Sequence, residues 1–160
     1  MTEMRSFLGF PDRLPDDVTP RAVIFGAGHG TTYVGKDSRG YALAPACIRA
    51  GHWDFDLGGP LFDGKPICCI DVGDVATVMH DNAGNRVRIE AQTREILALG
   101  AVPILLGGDD SIPIPFIAGF AGLEPIWILQ IDAHLDWRDE VYGERNGYSN
   151  PMRRASEMPH

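Results

Sequence analysis

Four short, mainly apolar runs, each closing at Gly or Asp, recur at residues 22–25, 66–72, 102–106 and 126–131. Runs of this kind, without strict alternation, suit strands buried on both faces of a parallel sheet. Between the second and third lies NRVRIEAQTREILALG, residues 85–100. There Val87, Ala91, Ile96 and Leu99 fall near helical spacing, Arg88, Glu90 and Arg94 can face water, and Gly100 is a C-terminal stop. A shorter helix is predicted to begin at Ser111, whose hydroxyl can cap free N–H groups. Pro113 and Pro115 sit in its first turn, where a missing N–H costs little. Strand–helix–strand alternation predicts an α/β fold with right-handed crossovers.

The 160 residues amount to one domain, and 44% hydrophobic with 22% charged residues is ordinary for a globular chain. Residues 1–20 carry Pro11, Pro15 and Pro20 among charges, and read as an extended arm ahead of a domain over 21–160. A net charge of -8 argues against a nucleic-acid or anionic-membrane surface, which would need clustered Lys and Arg. The N-terminus lacks the basic start and apolar core of a signal peptide, and no segment has the length of apolar sequence a membrane helix needs. Cys47, Cys68 and Cys69 have no zinc spacing and read as buried thiols in a reducing compartment. A cytoplasmic location is expected.

Ligands of parallel sheets bind beyond the carboxyl ends of the strands. Asp71, Asp74, Asp109, Asp110 and Asp132 lie at or just past such ends, so an acidic cluster is expected on one rim. Two nucleotide-binding patterns compete for the same rim. "GAGHG" follows the first run, but Thr31 stands where the third glycine of G-x-G-x-x-G belongs. "GTTYVGKD", residues 30–37, fits a phosphate loop until Asp37 replaces the Ser or Thr that binds magnesium. Gly40 and Pro45 also fall where the loop should open into a helix.

The fourth run leads into "DAHLD". Asp132, His134 and Asp136 are spaced by two, which puts them on one face of extended chain. Two carboxylates and an imidazole on one face suit a divalent ion, manganese first, with nickel or cobalt as alternatives. Converging carboxylates repel one another unless a cation or proton intervenes. In the preceding "GGDDS", Asp109 or Asp110 faces the same site, and Asp109 is alternatively a brace that accepts backbone N–H bonds in its turn.

With these motifs in hand, the chain resembles the N-terminal half of a ureohydrolase, the arginase/agmatinase family, from about residue 20 to the C-terminus. "APACIRAG" is similar to the family's Gly-x-x-x-x-Pro-x-x-Ile-Arg segment and "DVGDV" to its Asp-x-Gly-Asp strand. "LGGDDS" stands against Gly-Gly-Asp-His-Ser, and "DAHLD" is intact. "PILLGGDDSIPIP" and "GYSNPMRRASEM" look more like agmatinase-type sequences. The resemblance implies a three-layer α/β/α arginase-like fold with a doubly wound parallel sheet, incomplete in this chain. It implies two manganese ions that acidify a bridging water, whose hydroxide attacks a guanidinium carbon to release urea and an amine. By match, Asp110, Asp132, His134 and Asp136 are metal ligands, Asp136 also takes part in proton transfer, and Ser149 and Asn150 fall in the substrate-contacting loop. Trimers or hexamers are implied in the same way.

Three departures qualify this picture. Asp110 replaces the family's His ligand, which adds a negative charge and removes a nitrogen donor. The loop after "DAHLD" offers Ser149 and Asn150 where a proton-shuttling His is common. The family's Ser-x-Asp-x-Asp ligand motif and its downstream acid are missing. A fragment or one piece of a split protein is therefore expected, completed by a C-terminal half. Agmatine is the expected substrate. The competing readings are a non-catalytic homologue and, further off, a phosphate-loop nucleotide binder.

Overall fold

The computed structural model describes residues 6–37, 39–51, 61–62, 65–66 and 68–160. Its centre is β1 (Ala22–Gly26), followed by α1 (Ala44–Ala50), a small antiparallel hairpin of β2 (Leu61–Phe62) and β3 (Lys65–Pro66), and β4 (Cys69–Asp74). Then come α2 (Asn82–Ala98), β5 (Val102–Leu106), α3 (Pro113–Ala118) and α4 (Pro151–Ala155). The main sheet has the order β4-β1-β5 and both pairings are parallel. Ala22 lies opposite Cys69 on one side and Val102 on the other.

Because side chains alternate along a strand, the apolar run of β1 feeds two cores. Val23 and Phe25 point to one face, where they pack with Ala27, Ala101, Ile112 and the α2 residues Ile89 and Ile96. Ile24 points to the other, with Cys69, Leu106 and Phe10. The N-terminal arm is thus part of the packing: Phe7, Leu8 and Phe10 cover this second face, and Pro11 accepts a backbone bond from Asp71. Cover is thinner there, and Val102 and Ile104 of β5 are exposed.

Helix α2 forms where expected but buries a different stripe. Asn85, Ile89, Thr93 and Ile96 face inward, whereas Val87 and Leu99 are exposed. The stripe is half polar, which hid it from a hydrophobic pattern. Thr93 is accommodated because its hydroxyl donates to the Ile89 carbonyl. Asp81 caps the helix through Gly84 N–H, and Gly100, at φ +73°, ends it in the left-handed region that favours glycine.

Four further expectations are corrected. Residues 65–66 pair within the hairpin, so the strand expected over 66–72 starts at Cys69. Ser111 does not cap α3: its hydroxyl donates to Asp109 and accepts from Thr31 N–H. Residues 126–131 form no strand. Trp127, Leu129 and Ile131 are 101, 86 and 91% exposed, and residues 124–135 enter no backbone–backbone hydrogen bond among the described residues. A strand needs a neighbour, and none of the described segments supplies one here. Of the cysteines, Cys69 is buried but Cys47 is exposed.

Candidate metal centre

The two strand ends that carry Asp71 and Asp110 have different fates. Asp71 and Asp74 close β4 and are claimed by Arg49 of α1. Its Nε and Nη2 donate to the two Asp71 oxygens at 2.7 and 2.8 Å, and Nη1 donates to Asp74 at 2.5 Å. Burial pushes Asp71 up, yet the bonds from Arg49, Phe7 N–H and Gly73 N–H outweigh it and hold the carboxyl below the usual range. Those two acids are a structural clamp and do not join the rim cluster.

At the end of β5 the chain turns sharply through "GGDDS". A Cβ on Gly108 would lie 1.7 Å from the His29 carbonyl oxygen, so only glycine lets the two loops approach. The bond from Asp109 N–H to that carbonyl, 3.0 Å, closes the junction. Of the two roles open to Asp109, the brace is the one seen: Oδ1 accepts from Ser111 N–H and hydroxyl. Its other oxygen is buried without a partner, and burial raises its pKa. The "GAGHG" turn is structural too. The His29 ring is held between Thr31 and Asn85, and the first α-helix after "GTTYVGKD" begins only at Ala44.

Asp110, next along, turns outward to meet Asp132 and Asp136, with one oxygen of each within 4.8 Å of the others. Among the described residues this is the metal-compatible cluster. The alternation expected for "DAHLD" is broken. His134 N–H donates to Asp132 at 2.6 Å, which bends the chain, and Asp136 sits at φ +46°. Asp132 and Asp136 therefore converge, while the His134 side chain is 82% exposed and outside the cluster. Gln130, a lone polar residue in "WILQI", donates to Asp136 Oδ2 at 2.9 Å and orients it. That break in the apolar run was the available signal for Gln130, and sequence reasoning missed it.

The cluster opens into a cavity of ≈ 770 Å³ whose other walls include Trp137, Arg138, Tyr148 and Ser149. Ser149 lines it, but Asn150 is fully buried. The Asn150 side chain accepts from Tyr33 and Gly147 N–H and donates to the Arg138 carbonyl, so it shapes the wall from behind. Tyr33 packs on Tyr148, ring centroids 4.5 Å apart, from the same side.

Three carboxylates are a hard oxygen donor set, which suits manganese better than a thiophilic ion. Burial, and then the hydrogen bond and charge of Asp136, push Asp110 up to about 7, with Asp132 and Asp109 adding to the repulsion. An acid raised in this way signals a site short of positive charge. A proton held there up to about pH 7 must leave when a cation enters, so apparent manganese affinity is expected to fall by up to roughly tenfold per pH unit below that point and to level off above it. Calorimetric titrations of the wild type and Asp110→Asn across neutral pH check this: the variant should bind more weakly with a flatter profile, and an unchanged slope would contradict the assignment.

A parallel α/β sheet with a metal-compatible acidic cluster past the end of β5 places the chain among α/β proteins whose ligand sites lie beyond the carboxyl ends of their strands. The chain belongs to the arginase family, which it matches over residues 20–160. It is 32% identical over 122 residues to the mitochondrial agmatinase of Gallus gallus, covering 72% of this chain and 35% of that protein. To a guanidinobutyrase of Pseudomonas aeruginosa it is 35% identical over 125 residues, covering 74% and 38%. The crystal structure of Trypanosoma cruzi formiminoglutamase, with manganese, superposes with a TM-score of 0.73 at 19% identity, over 98% of this chain and 54% of that one. The fold is thus the arginase-like α/β fold, and the chain spans between about a third and a half of these relatives' length. Among the described residues, no helix is long and apolar enough to cross a membrane.

Proposed function

We propose that this chain carries the metal-holding part of a manganese-dependent ureohydrolase that cleaves a linear C–N bond of a guanidino compound, releasing urea and an amine. The observation that carries the reading is the convergence of Asp110 with Asp132 and Asp136, from two separate segments, at the mouth of one cavity. Asp110, Asp132 and Asp136 would hold the metal. When bound, manganese supplies an acidified water for hydrolysis and offsets the repulsion among the three acids. Around it, the anionic end of the cavity attracts the guanidinium cation, and the Trp137 and Tyr148 rings offer faces for its flat cationic group. Asp136, buried and held by Gln130, would hold or pass a proton between water and leaving amine. Ser149 is a hydroxyl within reach of the same space.

Completion of the site belongs to the same proposal. The open apolar stretch 126–131, which leads straight into Asp132, would become a sheet strand against a second polypeptide segment, a C-terminal half or another subunit. Support comes from its exposure, its backbone unpaired among the described residues, and the relatives' greater length. A competing reading, a non-catalytic homologue, is favoured by Asp110 in the place of the family's His and by the outward His134. Elemental analysis of the desalted protein, followed by a urea-release assay on guanidino compounds, separates the two. Retained manganese with urea release supports the enzyme, and protein that takes up no manganese overturns it.

A further inference from the structure

Away from the metal centre, the sheet has a second crevice, between the ends of β1 and β4. The chain leaves β1 toward α1, whose Arg49 reaches Asp71 on the face of Ile24. It leaves β4 toward α2, whose Ile89 and Ile96 pack on the opposite face with Val23 and Phe25. Loops that part to opposite faces open a crevice at the strand ends. Here it is a cavity of ≈ 480 Å³, walled by Gly28 and His29 of the β1 loop and by Thr77, Val78 and His80 of the β4 loop. Three ties hold the two loops together. Val75 N–H donates to the Gly26 carbonyl at 2.8 Å, and the Thr77 hydroxyl donates to the Gly28 carbonyl at 3.3 Å. Asn85 of α2 makes the third, joining Val78 to the His29 ring.

The third tie admits one protonation state. Val78 N–H can only donate and the Val78 carbonyl can only accept, which fixes the Asn85 amide. Its Oδ1 accepts from Val78 N–H and Arg88, and its Nδ2 donates to the Val78 carbonyl and to His29 Nδ1. Nδ1 is therefore the bare nitrogen, and Nε2 carries the hydrogen toward the Thr31 hydroxyl at 3.1 Å. His29 and Asn85 are 5 and 2% exposed, which leaves water little access to replace either partner. The backbone beneath the ring is also held, since His29 N–H donates to Ala27 and its carbonyl accepts from Asp109 N–H. A proton on Nδ1 would set two N–H donors face to face, 3.1 Å apart and buried, with an acceptor for neither.

We infer that His29, Asn85 and Val78 form an acid-operated clasp: with His29 neutral it locks the β4 loop to the β1 loop, and protonation releases the β4 loop around Val78 and widens the crevice. This is independent of the ureohydrolase reading. The surrounding charges favour the neutral ring on balance. Burial and then Arg86 of α2 oppose a cation at His29, and His80 lines the same cavity. Asp81 favours one, but its carboxylate already accepts from Arg88 and Gly84 N–H. Asp109 meets His29 through its backbone N–H, and its Oδ1 is engaged by Ser111. The imidazole is thereby held below its ordinary value of 6.5. Stability from the clasp is complete above that pH, is lost as pH falls below it, and levels off once the native ring is itself protonated.

Nuclear magnetic resonance between about pH 8 and 5 tests this. The His29 ring should show the Nε2–H tautomer at neutral pH and titrate below 6.5. Protection of Val78 N–H against hydrogen exchange should fall by up to about tenfold per pH unit below that value, while Phe25 N–H in the central strand stays protected. His29→Gln is neutral throughout and its carbonyl can accept from Asn85, so Val78 protection should become flat with pH. Asn85→Asp should invert the response, moving the His29 midpoint above 6.5 by placing a carboxylate against Nδ1. If His29→Gln does not fold, the wild-type ring and Asn85→Asp decide the matter. An Nδ1–H tautomer, a wild-type midpoint at or above 6.5, or an unchanged Val78 slope in His29→Gln overturns the clasp. Loss of Phe25 protection in step with Val78 overturns it too, because the whole fold would then be opening.

Discussion

Arg49→Ala will cost this chain a large share of its stability. Arg49 and Asp71 are 3 and 4% exposed and meet through two parallel hydrogen bonds, with Asp74 taking the remaining arm of the guanidinium. Removing the cation leaves Asp71 ionised and buried with only the Phe7 and Gly73 amides, and such half-broken pairs cost about 3–5 kcal/mol. A domain of this size has about 5–15 kcal/mol in total. The change also reaches the N-terminal arm, since Phe7 N–H is held by the same carboxylate. Urea denaturation followed by circular dichroism should show a midpoint far below wild type or no folded baseline. Arg49→Lys should recover only a fraction, because an ammonium cannot make the forked contact. A variant as stable as the wild type would mean that the clamp is incidental and that the two cores alone hold β4 to β1.

Asp136→Asn is expected to remove manganese binding while leaving the fold in place. The substitution keeps side-chain volume, and Asn tolerates the left-handed backbone that Asp136 adopts at φ +46°. What is lost is a charge at the point where Asp110 and Asp132 converge, and loss of a direct ligand should weaken the metal by about a hundredfold or more, beyond the effect of outer partners. Asp132→Asn should act similarly. His134→Ala should weaken manganese less than Asp136→Asn in this chain, because its ring lies outside the cluster. Metal content after desalting and titration by calorimetry measure all three. If His134→Ala proves the more damaging, the imidazole turns inward on metal binding and the three-carboxylate description of the site is incomplete.

The mixture of success and failure in reading the chain follows from where each signal resides. β1 and β5 were legible because their apolar runs are compact and end at glycine, and α2 because capping and stop residues bracket it. Its buried stripe was not, since Asn85 and Thr93 are satisfied by partners that only the folded chain brings near. Asp71 and Asp74 read as rim acids for the same reason: nothing local announces that Arg49, more than twenty positions away, will neutralise them. "DAHLD" was conspicuous as a motif. Its geometry depended on one local bond, from His134 N–H to Asp132, that breaks the alternation on which the shared face was argued.

The amino-acid sequence by itself determined the fold class, the positions of the principal strands and of α2, and the residue types capable of holding a hard cation, because these depend on short-range pattern and side-chain chemistry. Tertiary structure alone decided which acids meet. Asp110 joins Asp132 and Asp136 while Asp109 turns back to brace its own loop, next to the close approach of Gly108 to His29. It also decided that Asn150 supports the cavity wall from behind, and that residues 126–131 have no strand partner among the described residues. Each of these depends on contacts between segments distant in sequence, where burial and unpaired polar groups, rather than local propensity, set the energy.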